Sequence, residues 1–170
     1  MNIYHFAVFI FLAVALICDL RERKIPNGLN LAGAFSGLLF HLATEGWSGL
    51  GYAFIGLVTG FTVVWLLYLT GAVGAGDVKL FAALGAWLGS AGAAYSAVYS
   101  IMYASVIGLI ILACNGTLFG FIRDIAFFVW NKLVWGLPVS GLFQRDVHRI
   151  PFMIAVVPGV LSVVFFTELN

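Results

Sequence analysis

Residues 50–80 read LGYAFIGLVTGFTVVWLLYLTGAVGAGDVKL, and the first charged side chain among them is Asp77. The run over residues 50–70 is almost entirely apolar. A helix needs about 20 apolar residues to cross a hydrocarbon core of ~30 Å. This stretch therefore predicts a transmembrane helix, followed by a glycine-rich loop that ends in a carboxylate.

The rest of the chain has the same character. Of its 170 residues, 63% are hydrophobic and only 9% are charged, whereas soluble domains carry about a quarter charged residues. Together with 50–70, the apolar runs cover residues 3–18, 29–43, 78–92, 93–114 and 152–167. The sequence predicts an all-α integral membrane protein, a bundle of about six transmembrane helices in which residues 1–170 form a single domain. The net charge of +1 offers no basic surface for nucleic acid.

The basic residues predict the orientation, because Lys and Arg concentrate in cytoplasmic loops. If the first span runs from outside to inside, all eight basic residues face the cytoplasm. Both termini and the loop over residues 44–49 then lie outside. The protein is expected in a prokaryotic cytoplasmic (inner) membrane as a multi-pass protein. The eight residues are Arg21, Arg23, Lys24, Lys79, Arg123, Lys132, Arg145 and Arg149.

Residues 120–137 are too polar to span, since Arg123, Asp124, Asn131 and Lys132 interrupt their apolar side chains. The segment predicts a helix lying in the cytoplasmic interface. A packing segment without a binding role is the alternative.

Two acids are the main candidates for chemistry, because ionisable residues at membrane depth are costly and are often functional. Asp19 ends the first span and Asp77 precedes the fourth. The first and third spans run in the same direction, so both carboxylates reach the cytoplasmic edge. One ionised carboxylate can take a proton from water, while the other, kept protonated, donates to a peptide carbonyl. Desolvation and like charge favour such sharing of one proton.

Each acid also has a structural interpretation. Asp19 can pair with Arg21 or Arg23 at the end of its helix, and Asp77 can cap the helix that follows it. Lys79 either anchors that helix or favours the ionised form of Asp77. These alternatives stay open at the level of sequence.

Four further residues are expected to support the site. Pro26 fixes the backbone of a turn and Asn27 caps the second helix. Gly74 and Gly76 let the backbone come close to another segment of chain, such as a substrate peptide.

Residues 19–27 (DLRERKIPN) and 74–80 (GAGDVKL) together resemble the type IV prepilin peptidases, a group of GxGD aspartyl membrane proteases. Residues 149–152 (RIPF), which open a last span with a kink at Pro158 and Gly159, also look like that family's C-terminal segment. The resemblance implies cleavage of the basic leader of prepilin-like or pseudopilin precursors at the cytoplasmic membrane face. It implies no metal and no cofactor. Asp19 and Asp77 match the family's catalytic acids.

Larger members of the family also methylate the new N-terminus and carry paired cysteines near the start. The cysteines here are Cys18 and Cys114, and no segment precedes the first span. The chain is therefore similar to the short, peptidase-only type associated with Flp or Tad pili, with no separate soluble or methyltransferase domain expected. Its expected partners are the precursor and membrane lipid, without nucleic acid.

Two other functions remain open. Paired membrane aspartates also serve as proton relays, so a small proton-coupled carrier is the first alternative. A non-catalytic subunit of a pilus or secretion assembly is the second, and for it the acids would be dispensable. The histidines His5, His41 and His148 have no spacing that predicts a metal site.

Overall fold

The computed structural model describes residues 3–116, 119–120, 123, 130 and 152–169. In this part of the chain the regular structure is helical, which confirms the all-α prediction. There are four helices here: α1 (Ile3–Glu22), α2 (Asn27–Leu69), α3 (Ala75–Cys114) and α4 (Met153–Leu169). The predicted count of about six separate helices is thus not supported. The predicted interfacial segment over residues 120–137 lies almost entirely outside the described residues.

The two long helices are each interrupted by one glycine. Gly46 in α2 has φ 65° and ψ −143°, and Gly89 in α3 has φ 72° and ψ −178°. Residues with a Cβ rarely adopt such positive φ values. The predicted loop over residues 44–49 is therefore wrong in form, because the neighbours of Gly46 stay helical and one left-handed residue redirects the chain. The boundary predicted near residue 92 falls three positions earlier, at Gly89.

Both parts of α2 pack against the same short stretch of α3. Gly37, before the break at Gly46, lies against Ala86, while Gly56, after the break, lies against Gly85. Helix α2 therefore doubles back at Gly46. The absence of a side chain at Gly56 is required for this contact, because a Cβ there would meet the Gly85 carbonyl oxygen. Small residues of this kind let helices approach closely in membrane proteins.

The first part of α3 forms the centre of the core. Residues 80–87 are all buried, and they contact apolar side chains of α1, such as Leu12, and of α4, such as Met153. Many large apolar side chains point outward instead. Helices α2 and α3 are each long and apolar enough to cross a membrane, in agreement with the predicted membrane protein.

By contacts the chain separates into two compact units, Met1–Ala104 with Pro151–Asn170, and Ser105–Ile150. Both aspartates belong to the first unit. Helix α4 continues through Pro158 to Leu169, and its Gly159 lies against Ser100 of α3.

Candidate active site

The two candidate acids lie at neighbouring helix ends. Asp19 is in the last turn of α1 and Asp77 is the third residue of α3, and each lies just outside the apolar runs over residues 3–18 and 78–92. Although they are 58 positions apart in sequence, the charge on Asp19 is close enough to raise the pKa of Asp77. The fold therefore brings the two carboxyl groups into one electrostatic site.

Burial dominates the ionisation of Asp77. It raises the pKa of Asp77 to about 6, the Gly74 amide opposes the rise, and the Asp19 charge adds to it. The Gly74 N–H donates to Asp77 Oδ2 at 3.0 Å, while the Asp77 N–H donates to the Gly74 carbonyl at 3.1 Å. An acid at the third helical position that bonds back in this way caps the helix start. The capping interpretation, which placed Asp77 before the helix, is therefore wrong in position: Asp77 lies inside α3 and bonds back to Gly74, and Oδ1 takes no part in this contact.

Asp19 has a different environment. Burial raises the pKa of its carboxyl group, and the backbone N–H of Met153 lowers it. Met153 is the first residue of α4, where helix N–H groups have no partner inside the helix. Neither Arg21 nor Arg23 contributes to this pKa, so the pairing interpretation has no support. Asp19 Oδ2 is buried, and within the described residues it has no hydrogen-bond partner.

Two side chains of the first turn of α2 hold residues 74–79, where α3 begins. Lys79 Nζ donates to Asn27 Oδ1 at 2.8 Å, and Asn30 Nδ2 donates to the Gly76 carbonyl oxygen at 3.3 Å. The two motifs that carry the family resemblance are thus in direct contact. Lys79 does not contribute to the pKa of Asp77, which favours the anchoring role over the electrostatic one.

The predicted capping role of Asn27 is wrong. Pro26 occupies the cap position with φ −59° and ψ 133°, without a side-chain cap. Its carbonyl oxygen accepts the N–H groups of Leu29 and Asn30. Because proline presets the φ of the residue before the helix, Asn27 is already the first helical residue. Its side-chain oxygen Oδ1 can therefore accept a hydrogen bond from Lys79 Nζ.

Asn30 is a site residue that the sequence analysis missed. It is 3% exposed, and its Oδ1 is buried without a hydrogen-bond partner in the described part of the chain. A signal was present, because Asn30 follows Asn27 by three positions and shares its helix face. Because Asn30 lies within the apolar run over residues 29–43, the sequence analysis treated it as part of a membrane span.

Polar and aromatic side chains also join α2 to α3 at the other end of the pair. His41 Nε2 donates to the Trp87 carbonyl at 3.2 Å, and Tyr52 donates its hydroxyl to the Leu88 carbonyl at 2.9 Å. The His41 ring also lies 5.2 Å from that of Tyr52, centroid to centroid. Tyr52 lies against the break at Gly89, twelve positions along α3 from Asp77.

No group of three or more His, Cys, Asp or Glu residues suited to a metal ion occurs among the residues that the structure describes. His148 lies outside them. An open apolar cleft of about 450 Å³ lies between α3 and α4, and its lining includes neither aspartate.

Comparison with protein families places residues 6–113 in a match to the family model described as the type IV leader peptidase family. The match includes both aspartates and both motifs of the site.

Individual proteins with the name prepilin leader peptidase/N-methyltransferase are similar to the chain. The one from Aeromonas salmonicida (strain A449) is 37% identical over 140 residues, which are 76% of this chain and 48% of that protein. The one from Dickeya chrysanthemi is 45% identical over 87 residues, covering 47% of this chain and 30% of the relative. The chain thus spans about half the length, or less, of these curated relatives. No solved structure matches it.

Proposed function

The chain belongs to the type IV leader peptidase family, and we propose that it is a prepilin leader peptidase with Asp19 and Asp77 as its catalytic pair. The observation that supports this most is the place of the two acids at the end of α1 and the start of α3, close enough for the Asp19 charge to add to the rise in the pKa of Asp77. Acids at the ends of two different helices come together only through the tertiary fold. The proposal treats residues 1–170 as a single membrane-embedded peptidase domain.

The chemistry we propose is hydrolysis of a peptide bond by an aspartyl mechanism. Burial raises the pKa of both carboxyl groups. The Asp19 charge adds to the rise at Asp77, and like charges at close range favour one shared proton. The pair titrates as a unit, so neither residue alone owns the proton. The ionised carboxylate removes a proton from water as the water oxygen attacks the scissile carbonyl carbon. The protonated carboxyl group donates to the carbonyl oxygen.

The tetrahedral intermediate then breaks down. Its C–N bond cleaves, the proton taken from water passes to the leaving amine, and the carboxylate that had donated to the carbonyl oxygen takes a proton back from a hydroxyl of the intermediate. The products are a leader ending in a new carboxyl group and a mature protein with a new N-terminus. The peptide bond and one water molecule are consumed, and the two carboxyl groups return to their shared-proton state. In this proposal, no metal or cofactor takes part.

The substrate is a prepilin or pseudopilin with a basic leader before an apolar helix. The charge rule puts such a leader on the cytoplasmic side while the apolar helix stays in lipid. The scissile bond then lies near the membrane boundary, level with Asp19 and Asp77. The backbone at Gly74 is exposed, and we propose that the extended leader junction passes along residues 74–76, where missing side chains leave room.

Six crossings follow from the proposal when the two breaks are taken as turns. A straight helix of 43 residues, the length of α2, is about 65 Å long at ~1.5 Å per residue, twice a hydrocarbon core of ~30 Å. The breaks at Gly46 and Gly89 divide α2 and α3 into four segments, to which α1 and α4 add two. Both termini then lie outside, and the aspartates face the cytoplasm of a prokaryotic inner membrane.

Single cysteines test this orientation. A cysteine at Glu22, after α1, is expected to react only with reagent on the cytoplasmic side, and one at Glu45, beside the break in α2, only from outside. Both positions are exposed in the protein, so the membrane, and not burial within the fold, controls access of the reagent. Labelling of both positions from one side would contradict the proposed turn at Gly46.

A proton-coupled carrier fits the observations less well. Carriers of this kind place ionisable groups at broken helices near the bilayer midplane. Here the breaks are at Gly46 and Gly89, whereas the acids are at a helix end and a helix start.

Co-expression with a prepilin, followed by an immunoblot that separates precursor from mature protein, tests the proposed function directly. Leader loss that depends on this chain is the expected result. Correctly inserted protein that leaves every prepilin of a representative panel uncut would overturn the proposal. A non-catalytic assembly subunit would give that second result.

A further inference from the structure

We propose that Asn30 is a positioning residue for leader cleavage, which holds the backbone at Gly76 so that Asp77 faces Asp19. The inference rests on the proposed peptidase function and assigns Asn30 no direct contact with substrate. It concerns a residue outside both catalytic acids and outside the GxGD motif.

The hydrogen bond of Asn30 reaches the residue next to Asp77. Asn30 Nδ2 donates to the carbonyl oxygen of Gly76, the residue directly before Asp77. Gly76 has no side chain of its own to fix this backbone, and a Cβ there would find only Ile25 nearby, at 3.9 Å. The amide of Asn30 therefore restrains the peptide that carries the catalytic carboxylate.

Asn30 is also buried. Its side chain is 3% exposed, yet Oδ1 has no hydrogen-bond partner within the described residues. Burying an unpaired acceptor lowers stability, and an apolar side chain of the same shape avoids that cost. Stability of α2 alone therefore does not call for an amide at this position. What the amide adds is an N–H group that donates to the Gly76 carbonyl oxygen.

The same helix pair contains a second hydrogen bond of this kind. His41 also lies on α2, is buried, and bonds a backbone carbonyl of α3 that is 46 positions ahead, as Asn30 does. The His41 partner is Trp87, far along α3 from Asp77. His41 thus provides a matched control for the loss of one buried tie between α2 and α3.

The experiment compares Asn30→Leu with His41→Phe in purified protein that contains residues 1–170, with a prepilin that the wild-type protein cleaves. Asn30→Leu keeps side-chain shape and removes the donor, and His41→Phe keeps a ring beside Phe40 and Tyr52. We expect kcat of Asn30→Leu to fall about 10- to 100-fold, since small displacements of catalytic groups have effects of that size. KM should stay within about twofold. His41→Phe should keep the kcat of the wild-type protein, whatever its thermal stability.

Asn30→Ala removes the same hydrogen bond with a smaller side chain and gives a second measurement. Full kcat in folded Asn30→Leu or Asn30→Ala would overturn the proposal. Equal losses of kcat in the Asn30 variants and in His41→Phe would also overturn it, as would failure of both Asn30 variants to fold while His41→Phe folds. Absence of cleavage by the wild-type protein is a different result, since it contradicts the proposed function itself.

Discussion

The α2–α3 pair has two ends that are built in a similar way and differ in what they can do. We name residues 25–30 with 74–79 the motif end, and residues 41–52 with 87–89 the kink end. At both ends, a buried side chain of α2 donates to a backbone carbonyl of α3. The kink end contains Gly46 and Gly89, both with positive φ, and Gly89 lies beside an aromatic ring. The motif end contains glycines outside that conformation and a carboxylate.

The difference separates folding from chemistry. At the kink end, Gly89 lies against the ring of Tyr52, so a side chain there has no space. At the motif end, a Cβ at Gly76 would come near only Ile25, at 3.9 Å, and the Gly76 carbonyl oxygen accepts a hydrogen bond from Asn30 Nδ2. Substitutions at the kink end should therefore change stability, and those at the motif end should change catalysis. Four predictions test that division.

The largest effect is expected from loss of either acid. Asp19→Asn and Asp77→Asn should each lower leader cleavage by about 10³-fold or more, because one carboxyl group must act as base and the other as acid. Asn at position 77 can still accept the Gly74 N–H, so the helix cap persists. Glu22→Gln, at the exposed end of α1, is the matched control and should cleave normally. The measurement is the precursor-to-mature ratio in membranes with equal amounts of each variant.

The second prediction concerns pH. Because burial and the Asp19 charge raise the pKa of Asp77 to about 6, the pair loses its shared proton as pH rises through that value. The rate kcat/KM should then fall about tenfold per pH unit on the alkaline side. Asp19→Asn removes the smaller of the two contributions that raise this pKa, so its residual activity should titrate at slightly lower pH. A flat alkaline limb from pH 6 to 9 would contradict a shared proton.

The third prediction compares glycines of the two ends. Gly89→Ala should lower the free energy of unfolding by at least ~1–2 kcal/mol, because a positive φ is strained for alanine and Tyr52 occupies the space. Gly76→Ala should be neutral or stabilising, since alanine favours helices. Denaturation in detergent measures both.

Cleavage by the folded Gly76 variants extends the same test. Close approach of the substrate backbone predicts a graded loss from Gly76→Ala to Gly76→Val, while Val78→Ile, on the adjoining helix, should retain most activity. Full activity in Gly76→Val would refute a role of this loop in substrate approach.

The smallest effect is expected from Lys79. Its ammonium group bonds the Asn27 amide and is exposed, and exposed charged contacts contribute roughly 0–1 kcal/mol. Lys79→Met should lower kcat/KM by no more than about threefold and leave the alkaline limb of the pH profile in place. A shift of that limb by a full pH unit would show that Lys79 tunes the acids after all.

Much of the fold and site could be predicted from local sequence. Composition indicated a helical membrane protein, because the chain has few charges and long apolar runs. In lipid such a run satisfies its backbone hydrogen bonds by forming a helix. The parallel direction of the first and third spans predicted that Asp19 and Asp77 would meet. The residues DLRERKIPN and GAGDVKL indicated the family. These features depend on residue type and order alone.

Other features depended on contacts between distant residues. Only the tertiary structure decided that single residues, Gly46 and Gly89, interrupt α2 and α3, that the Asn27 side chain accepts a hydrogen bond from Lys79, and that Asn30 donates to the Gly76 carbonyl oxygen. The physical reason is that periodicity identifies which face of a helix is apolar, whereas a buried amide's hydrogen-bond partner is set by the packing of another helix. For Asn30 that partner is 46 positions away in the sequence. A pattern of neighbouring residues does not specify a partner at that separation.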